Sequence, residues 1–427
     1  MSALKLALKL GCIADDFTGA TDLANNLVRS GMRVVQTIGV PTGPLAAEVD
    51  AVVVALKSRT IPAAEAIAQS LQALKWLQDQ GAQQIYFKYC STFDSTPEGN
   101  IGPVTEALMD ALQTDFTIAT PAFPDNGRTV FKGYLFAGNV LLNESGMQNH
   151  PLTPMTDANL VRVMQAQTKR QVGLIDYKTV AQGEAAIRQR IDALRAEGVG
   201  VAVVDATSNE DLHRLGPALK DMQLVTAGSG VAIGLPANFG LKPSLQASQL
   251  PAATGLQAVV SGSCSLATNA QVAHFRASGR PARAIDPASL LKGQAEAVVQ
   301  QVLAWAAPLL ASGPVLVYST AEPDAVKAVQ AQLGVAEAGA LVEHALAAVA
   351  RGLVGLGVKQ LVVAGGETSG ACVQALGIAQ LQIGPQIDPG VPWCHAPSGD
   401  GDGVHIALKS GNFGTEDFFS KAFAVLH

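Results

Sequence analysis

Two adjacent carboxylates lie near the start of the chain. Their residue type and their position suit acid–base chemistry. Asp15 and Asp16 follow an apolar run predicted to be a strand and precede a helical pattern. In open α/β sheets, ligands bind beyond the carboxyl ends of the strands. A carboxylate there can deprotonate a hydroxyl group or bind Mg²⁺. One acid with Thr18 suffices to cap the helix, so two adjacent acids predict a role in a site for at least one.

Three cationic side chains lie at or near the ends of neighbouring predicted strands: Lys57, Arg59 and Lys88. Together they can bind a carboxylate or a phosphate, and the planar guanidinium of Arg59 can do so bidentately. Alternatively, each of these cations lies on the solvated surface of the protein and binds no ligand. Lys88 follows the apolar run Ile85–Phe87, which argues against a purely exposed position. The pattern predicts an anion-binding site.

Three glycine- and serine-rich turns follow predicted strands in the C-terminal half, at Gly365–Ser369, Ser261–Ser263 and Lys409–Gly411. A strand, a tight turn and a helix N-terminus can bind phosphate through backbone N–H groups. The spacing matches neither a Walker loop nor a dinucleotide fingerprint. Simple helix capping by Thr368 or Ser369 is the alternative for the first turn. Three such turns in one half together predict a phosphate site.

Strands alternate with helices along most of the chain, which predicts the α/β class with largely parallel sheets flanked by helices. A chain of 427 residues exceeds one ordinary core. We therefore predict two domains, 1–240 and 255–427, joined by a linker within 236–254, with the active site in the cleft between them. Residues 121–155 break the alternation and predict a ribbon or a long loop.

Composition limits the classes of partner. Hydrophobic residues make up 48% of the chain and charged residues 15%, and the formal charge is −6 without a basic tract. We therefore expect no nucleic-acid partner. The chain has no uncharged apolar stretch of membrane-spanning length, so we expect no membrane partner either. Exposed apolar surface is compatible with a homodimer.

The cysteines predict a reducing compartment. The five of them form no C-x-x-C pair and are odd in number, which argues against a disulfide framework or a zinc site. Leu10–Cys12 is similar to a lipoprotein cleavage site, but Lys9 interrupts the short apolar run before it. We predict no signal peptide and a cytoplasmic location.

Five motifs in order along the chain resemble those of the four-carbon acid sugar kinases, and the resemblance runs essentially from end to end. The motifs are Ile13–Ala20, Leu56–Arg59, Phe87–Thr96, Ala364–Ser369 and Leu408–Gly414. The resemblance implies an N-terminal substrate domain and a C-terminal nucleotide domain. It implies ATP-dependent phosphorylation of the terminal hydroxyl of a 3-oxo four-carbon sugar acid.

The resemblance also implies roles for individual residues. The positions that match ATP contacts are Ser261, Gly365, Gly366, Glu367, Thr368 and Gly411. On the substrate side we predict Asp15, Asp16, Arg59, Lys88, Tyr89, Cys90, Ser91 and Thr92.

Phosphoryl transfer depends on positioning and charge neutralisation, which suggests a division of labour. Asp16, rather than Asp15, is predicted to accept the proton of the 4-hydroxyl, while Arg59 and Lys88 bind the substrate carboxylate. Mg²⁺ is expected to bridge the phosphates, and the sequence identifies no ligands for it; Lys409 can neutralise phosphate charge if it points inward. A kinase acting on threonate or erythronate, a non-catalytic binding protein and an NAD-dependent dehydrogenase are the alternatives.

Overall fold

The structure is a computed structural model that describes residues 8–45, 49–150, 153–290, 295–320, 335–397 and 403–426. The chain divides into two units, Met1–Ser248 and Gln249–His427. Both are α/β, as the alternation of strands and helices predicts. Within the described ranges, none of the helices combines the length and apolar character that crossing a bilayer requires.

The N-terminal unit is built on a parallel sheet. Its strands are β1 (Leu10–Ala14), β2 (Val34–Ile38), β3 (Ala51–Ala55), β4 (Gln84–Lys88), β5 (Thr117–Thr120), β9 (Gln171–Ile175), β10 (Val199–Val204) and β11 (Leu224–Ala227). Their order is β2-β3-β1-β4-β11-β5-β10-β9, and every pairing is parallel. Strands such as Ala51–Ala55 are buried along their whole length, as expected where helices cover both faces of a sheet.

Helices connect these strands. They are α1 (Phe17–Arg29), α2 (Ala63–Asp79), α3 (Ile101–Leu112), α4 (Leu160–Gln165), α5 (Tyr177–Ala181), α6 (Glu184–Ala196) and α7 (Asn209–Ala218). Helix α1 is unusual because every residue from Phe17 to Val28 is buried. Polar residues on this helix are therefore held inside the unit.

The predicted interruption at 121–155 contains a short antiparallel ribbon. Its strands are β6 (Arg128–Phe131), β7 (Tyr134–Ala137) and β8 (Val140–Leu141). The turn between β6 and β7 places Lys132 and Gly133 at φ of 53° and 77°, the geometry of a tight hairpin. Buried Asp205 accepts hydrogen bonds from both of their N–H groups at 2.7 and 2.8 Å. The ribbon is thus tied to the end of β10.

The C-terminal unit has a mixed sheet. Its strands are β12 (Leu256–Ser261), β13 (Ala282–Ala284), β14 (Val315–Tyr318), β15 (Val358–Ala364), β16 (Gln380–Asp388), β17 (Val391–Ala396) and β18 (Val404–Lys409). The order is β13-β14-β12-β15-β18-β17-β16. The first five are parallel, and β17 pairs antiparallel with both β18 and β16.

The helices of this unit pack on that sheet. They are α8 (Leu266–Ala277), α9 (Pro287–Ser289), α10 (Ala295–Ala306), α11 (Val335–Gly355), α12 (Gly366–Ala375) and α13 (Phe418–Val425). An aromatic cluster of Phe275, Trp393, Phe418 and Phe419 joins the terminal helix to the sheet. The predicted linker contains two short 3₁₀ turns, Pro236–Phe239 and Leu245–Ser248. The predicted domain limits, the linker and the cleft stay predictions.

Candidate functional site

The predicted acids and cations of the N-terminal unit lie at one edge of its sheet. Ala14, the last residue of β1, is paired with Ala55 on one side and Lys88 on the other. Lys88 is in turn paired with Ala227 at the end of β11. Because these strands are parallel, the segments that follow them leave the sheet at the same carboxyl edge.

Arg59 joins the two adjacent acids. Its Nε and Nη2 donate to the two carboxylate oxygens of Asp15 at 2.9 and 2.8 Å, and Nη2 also donates to Asp16 Oδ1 at 2.7 Å. Nη1 lies 3.9 Å from Asp94 Oδ2 and makes no hydrogen bond within the described ranges. The side chain of Asp15 is 7% exposed and that of Asp16 is 24% exposed. Asp16 is therefore the acid that a ligand can reach.

The same surroundings move the two carboxyl pKa values apart. Burial raises the pKa of Asp15 and outweighs the opposing effect of Arg59. Burial acts in the same direction on Asp16, but Arg59 and Lys88, with hydrogen bonds from Thr18 and Gly19, hold its pKa below the ordinary value. Asp16 is also the N-cap of α1, since its Oδ1 accepts from Gly19 N at 3.0 Å. It is ionised at neutral pH and can accept a proton there.

Lys88 is a buried cation without a direct partner. It is 2% exposed, and its ammonium group makes no hydrogen bond or ion pair in the part of the chain that the structure describes. Its Nζ lies against the first turn of α1, because a Cβ added to Gly19 would be 2.7 Å from it. A buried ammonium without an acceptor is costly, so this position suits an anionic ligand. Lys57, in contrast, is exposed.

The segment after Lys88 forms a tight polar turn. Thr92 Oγ1 lies 2.8 Å from Cys90 Sγ and donates to Asp94 Oδ1 at 2.5 Å. Burial raises the pKa of Cys90 to about 12, so its thiol is not a nucleophile. Phe93 has φ of 52°, a conformation that costs about 1 kcal/mol for a residue with a side chain.

The remaining residues of this predicted substrate-binding stretch differ in accessibility. Tyr89 is fully buried and packs edge-on against Phe87 and Phe93, so its ring belongs to the core. Ser91 and Thr92 are 8% and 6% exposed. Their binding roles stay predictions.

Three residues that sequence reasoning gave no role also shape this edge. Asn100 Nδ2 donates to the carbonyl oxygens of Ser58, Arg59 and Ile61 at 2.8, 3.2 and 2.8 Å, which fixes the loop carrying Arg59. Asp22 and Ser229 are buried beside Lys88 and are joined by a hydrogen bond. The signal for Asp22 was available, because Asp22, Asn25 and Asn26 place polar side chains along a helix that adjoins an apolar strand.

The three predicted anion-binding turns of the C-terminal unit converge. Ser261 pairs with Ala364, and Ala364 pairs with Lys409, so β12, β15 and β18 end in one row. A Cβ added to Gly262 would overlap Thr368 Oγ1, and one added to Gly411 would lie 2.5 Å from Ser263 Oγ. The glycines thus permit a close approach of the three turns.

Lys409 points inward and organises this convergence. Its Nζ donates to Thr268 Oγ1 at 3.0 Å and to the carbonyl oxygens of Ser410 and Gly411 at 3.0 and 3.1 Å. Ser265 and Thr268 also donate to the Gly411 carbonyl, at 2.6 and 2.9 Å. Burial lowers the pKa of Lys409 to about 7, and in the described chain no carboxylate pairs with it. Its charge is available to a neighbouring anion.

Helix α12 begins earlier than its sequence pattern indicates. The helical pattern of the sequence predicts a helix from Ala371 to Leu376, whereas the structure begins it at Gly366, five residues earlier, and ends it at Ala375. Gly365 precedes it with φ of 119° and no side chain to accept from the first helical N–H groups. Glu367 is exposed and Thr368 is buried in that first turn. The predicted ATP contacts from Gly365 to Thr368 therefore belong to a helix start, whereas Ser261 ends β12 and Gly411 lies in the turn after β18.

No cluster of three or more histidine, cysteine or carboxylate side chains that could bind a metal ion occurs among the described residues. Mg²⁺ in phosphate-transfer sites is held largely by substrate phosphates and water, with one or two carboxylates. Glu367 is the carboxylate within the converging turns, so the site fits a magnesium ion that arrives with a nucleotide.

Comparisons with known proteins distinguish an N-terminal and a C-terminal domain. Residues 10–235 match the family model of a sugar-binding N-terminal domain, and residues 258–419 match that of a nucleotide-binding C-terminal domain. The chain therefore belongs to the four-carbon acid sugar kinase family.

Among its relatives, a 3-oxo-tetronate kinase of Pseudomonas fluorescens is 60% identical, over 98% of this chain and 97% of the relative. One of Burkholderia multivorans is 61% identical over the same shares. A solved structure from Salmonella typhimurium has a TM-score of 0.88 and 48% identity, over 98% of this chain and 100% of the other.

Proposed function

We propose that the chain is an ATP-dependent kinase that phosphorylates the 4-hydroxyl of 3-oxo-tetronate and yields 3-oxo-tetronate 4-phosphate. The observation that carries the proposal is the pairing of an ionised, accessible Asp16 with the unpartnered ammonium of Lys88 at one sheet edge. A hydroxy acid requires a cation to bind its carboxylate and a base to accept the proton of its hydroxyl group. The relatives that bear the name 3-oxo-tetronate kinase supply the particular substrate.

In the substrate site, Lys88 and the Nη1 group of Arg59 bind the carboxylate of the acid sugar. Asp16 accepts the proton of the 4-hydroxyl as the phosphoryl group is transferred, because it is ionised and partly exposed. Asp15 acts through Arg59, whose guanidinium it holds with two hydrogen bonds. Ser91 and Thr92 line the same edge of the sheet.

In the nucleotide site, backbone N–H groups at Gly366–Thr368 and the hydroxyl of Ser261 bind the phosphates of ATP. Lys409 fixes the Gly411 turn and adds positive charge. An anion nearby raises the pKa of a buried lysine, so ATP binding would favour its charged form. Magnesium, with Glu367 and phosphate oxygens around it, would neutralise the phosphate charge.

A coupled ADP-release assay tests the proposal, with a panel of four-carbon sugar acids and their 3-keto forms. We expect the highest kcat/KM with a 3-oxo-tetronate. Preference for threonate or erythronate would favour the related kinase activity. Absence of ADP release with every acid, combined with tight binding of one, would favour a non-catalytic binding protein.

We infer a cytoplasmic location from the cysteines, all five of which are free, as is usual in a reducing compartment. A homodimer, and the absence of nucleic-acid and membrane partners, stay predictions from composition.

A further inference from the structure

A buried polar network lies beyond Asp16 on helix α1. Asp22 is 3% exposed, and its Oδ2 accepts a hydrogen bond from Ser229 Oγ at 2.5 Å. Asn26 Nδ2 donates to the carbonyl oxygen of Ser229 at 3.0 Å. These contacts fasten the Asp22 carboxylate between the helix and the turn that follows β11.

Lys88 faces the same side of the helix. Gly19 and Asp22 are three residues apart and therefore neighbours on one helical face, and the Lys88 Nζ lies against Gly19. Asp22 Oδ1 is buried without a hydrogen-bond partner. A fixed acceptor with unused capacity thus lies near a buried ammonium that lacks an acceptor in the described chain.

We propose that Asp22 is a positioning residue for Lys88: its carboxylate, fixed by Ser229, balances the charge of the buried ammonium and holds it directed toward the carboxylate of the acid sugar. A buried charge is costly unless an opposite charge lies near it. A carboxylate that is near but not in direct contact offsets this cost and leaves the hydrogen-bonding positions of Lys88 Nζ to the substrate. The inference rests on the proposed function, in which Lys88 binds the substrate.

The network has a defined pH dependence. Burial raises the pKa of Asp22 to about 7, against the opposing effects of Lys88 and Ser229 and with a further rise from Asp16. Lys88 from β4 and Asp16 from the start of α1 affect the pKa of Asp22. The charge of Asp22 in turn raises the pKa of Tyr86 from β4. Asp16 titrates well below neutral pH, and burial raises the pKa of Tyr86 well above it. Asp22 is therefore the group that changes charge near neutrality.

Substrate binding and stability should respond to this titration in opposite directions. Asp22 gains a proton as the pH falls below about 7, so the support for Lys88 weakens and the KM for the acid sugar rises. The folded protein binds the Asp22 proton more tightly than the unfolded chain does. Its contribution to the free energy of unfolding therefore falls as the pH rises from about 4 to about 7.

The decisive variant is Asp22→Asn, which keeps the shape and the acceptor for Ser229 but removes the charge. We expect the KM for the acid sugar to rise about tenfold, the scale of one charge-assisted contact, and its pH dependence between about 6 and 8 to disappear. The KM for ATP should be unchanged. Removing the charge should also abolish the fall in stability toward neutral pH.

Two controls separate positioning from structural damage. Asp50→Asn neutralises a buried acid that pairs with Lys9 and Arg33 at the amino edge of the same sheet, so it should lower stability and leave the acid-sugar KM unchanged. Ser229→Ala loosens the Asp22 carboxylate and should give a smaller rise in that KM. Ser70→Ala removes a buried hydroxyl that has no hydrogen bond and should change neither quantity.

The outcomes distinguish this inference from the function on which it rests. A wild-type protein without ADP release for any four-carbon acid would refute the kinase proposal itself. An active wild type, with an Asp22→Asn variant whose acid-sugar KM and pH profile are unchanged, would overturn the role of Asp22 alone. Should that variant fail to fold, an unchanged KM in Ser229→Ala would overturn it instead.

Discussion

At the scale of single residues, one guanidinium gives two neighbouring acids different properties. Asp15 is closed off by Arg59 and has a raised pKa, whereas Asp16 is partly exposed and has a lowered pKa. Environments that push the pKa values of paired acids apart are a usual way to assign separate roles to them. The structure therefore gives physical support to choosing Asp16 over Asp15 as the base.

Asp16→Asn should lower kcat by about 10²–10⁴-fold, the usual contribution of a general base. Asparagine is as good an N-cap as aspartate, so the variant should keep its fold and its affinity for ATP. Steady-state kinetics and an ATP titration measure both quantities. Asp176→Asn makes the same change at the N-cap of α5 and should leave kcat unaltered. Near-normal turnover in Asp16→Asn would exclude Asp16 as the base.

At the scale of elements, glycines decide how closely the nucleotide turns approach each other. Gly262→Ala places a methyl group against Thr368 Oγ1 at the start of α12. We expect weaker ATP binding, since the turn must shift, with little change in acid-sugar affinity. Calorimetric titration of ATP measures the effect.

A glycine in open space supplies the control for that substitution. Gly355 ends helix α11 with nothing within 4 Å of an added Cβ. Gly355→Ala should leave ATP affinity unchanged and raise stability slightly, by up to about 1 kcal/mol. Equal ATP affinity in Gly262→Ala and Gly355→Ala would contradict the convergence of the turns.

The elements that the sequence did not predict have local sequences with little preference for a strand or a helix. Strand β9 contains Gly173, where a Cβ would lie 2.9 Å from Leu194. The tight packing of a helix there leaves no room for the β-branched residue that would mark a strand in the sequence. Strand β13 has only three residues, Ala282–Ala284, and lies at the edge of its sheet. Strand β16 was also missed. The first turn of α12 is rich in glycine and hydroxyl residues, whose poor helix propensity is overridden by tertiary contacts.

The candidate site was predictable in part for a related reason. Apolar strands show where the chain leaves a sheet, so the positions of Asp16, Arg59 and Lys88 at one edge followed from pattern alone. The partners of those groups did not, because hydrogen bonding between Arg59 and two acids depends on strand order and side-chain geometry. Asp22 was missed because the polar residues of α1 look like an exposed face, and their burial depends on the elements that pack around the helix.

At the scale of the whole molecule, each unit has its own ligand-binding edge, so the effects of the two ligands should be separable. ATP and a four-carbon acid should each raise the unfolding temperature, since a ligand at about 100 times its Kd adds about 2.7 kcal/mol. The shift caused by ATP should persist in Lys88→Met, and the shift caused by the acid should persist in Gly262→Ala. Differential scanning fluorimetry tests all four combinations. Loss of both shifts in either variant would contradict two separate sites.

The glycine that begins α12 has a consequence for how this unit meets its nucleotide. Gly365 offers no side-chain acceptor to the helix, so among the described residues the N-cap position leaves the first turn of α12 open to an anionic ligand. A bound phosphate would complete the helix as an aspartate or serine does elsewhere. Ligand capture and the final ordering of that turn would then be a single event, and the exchange of the amides of that turn with solvent would slow when the nucleotide binds.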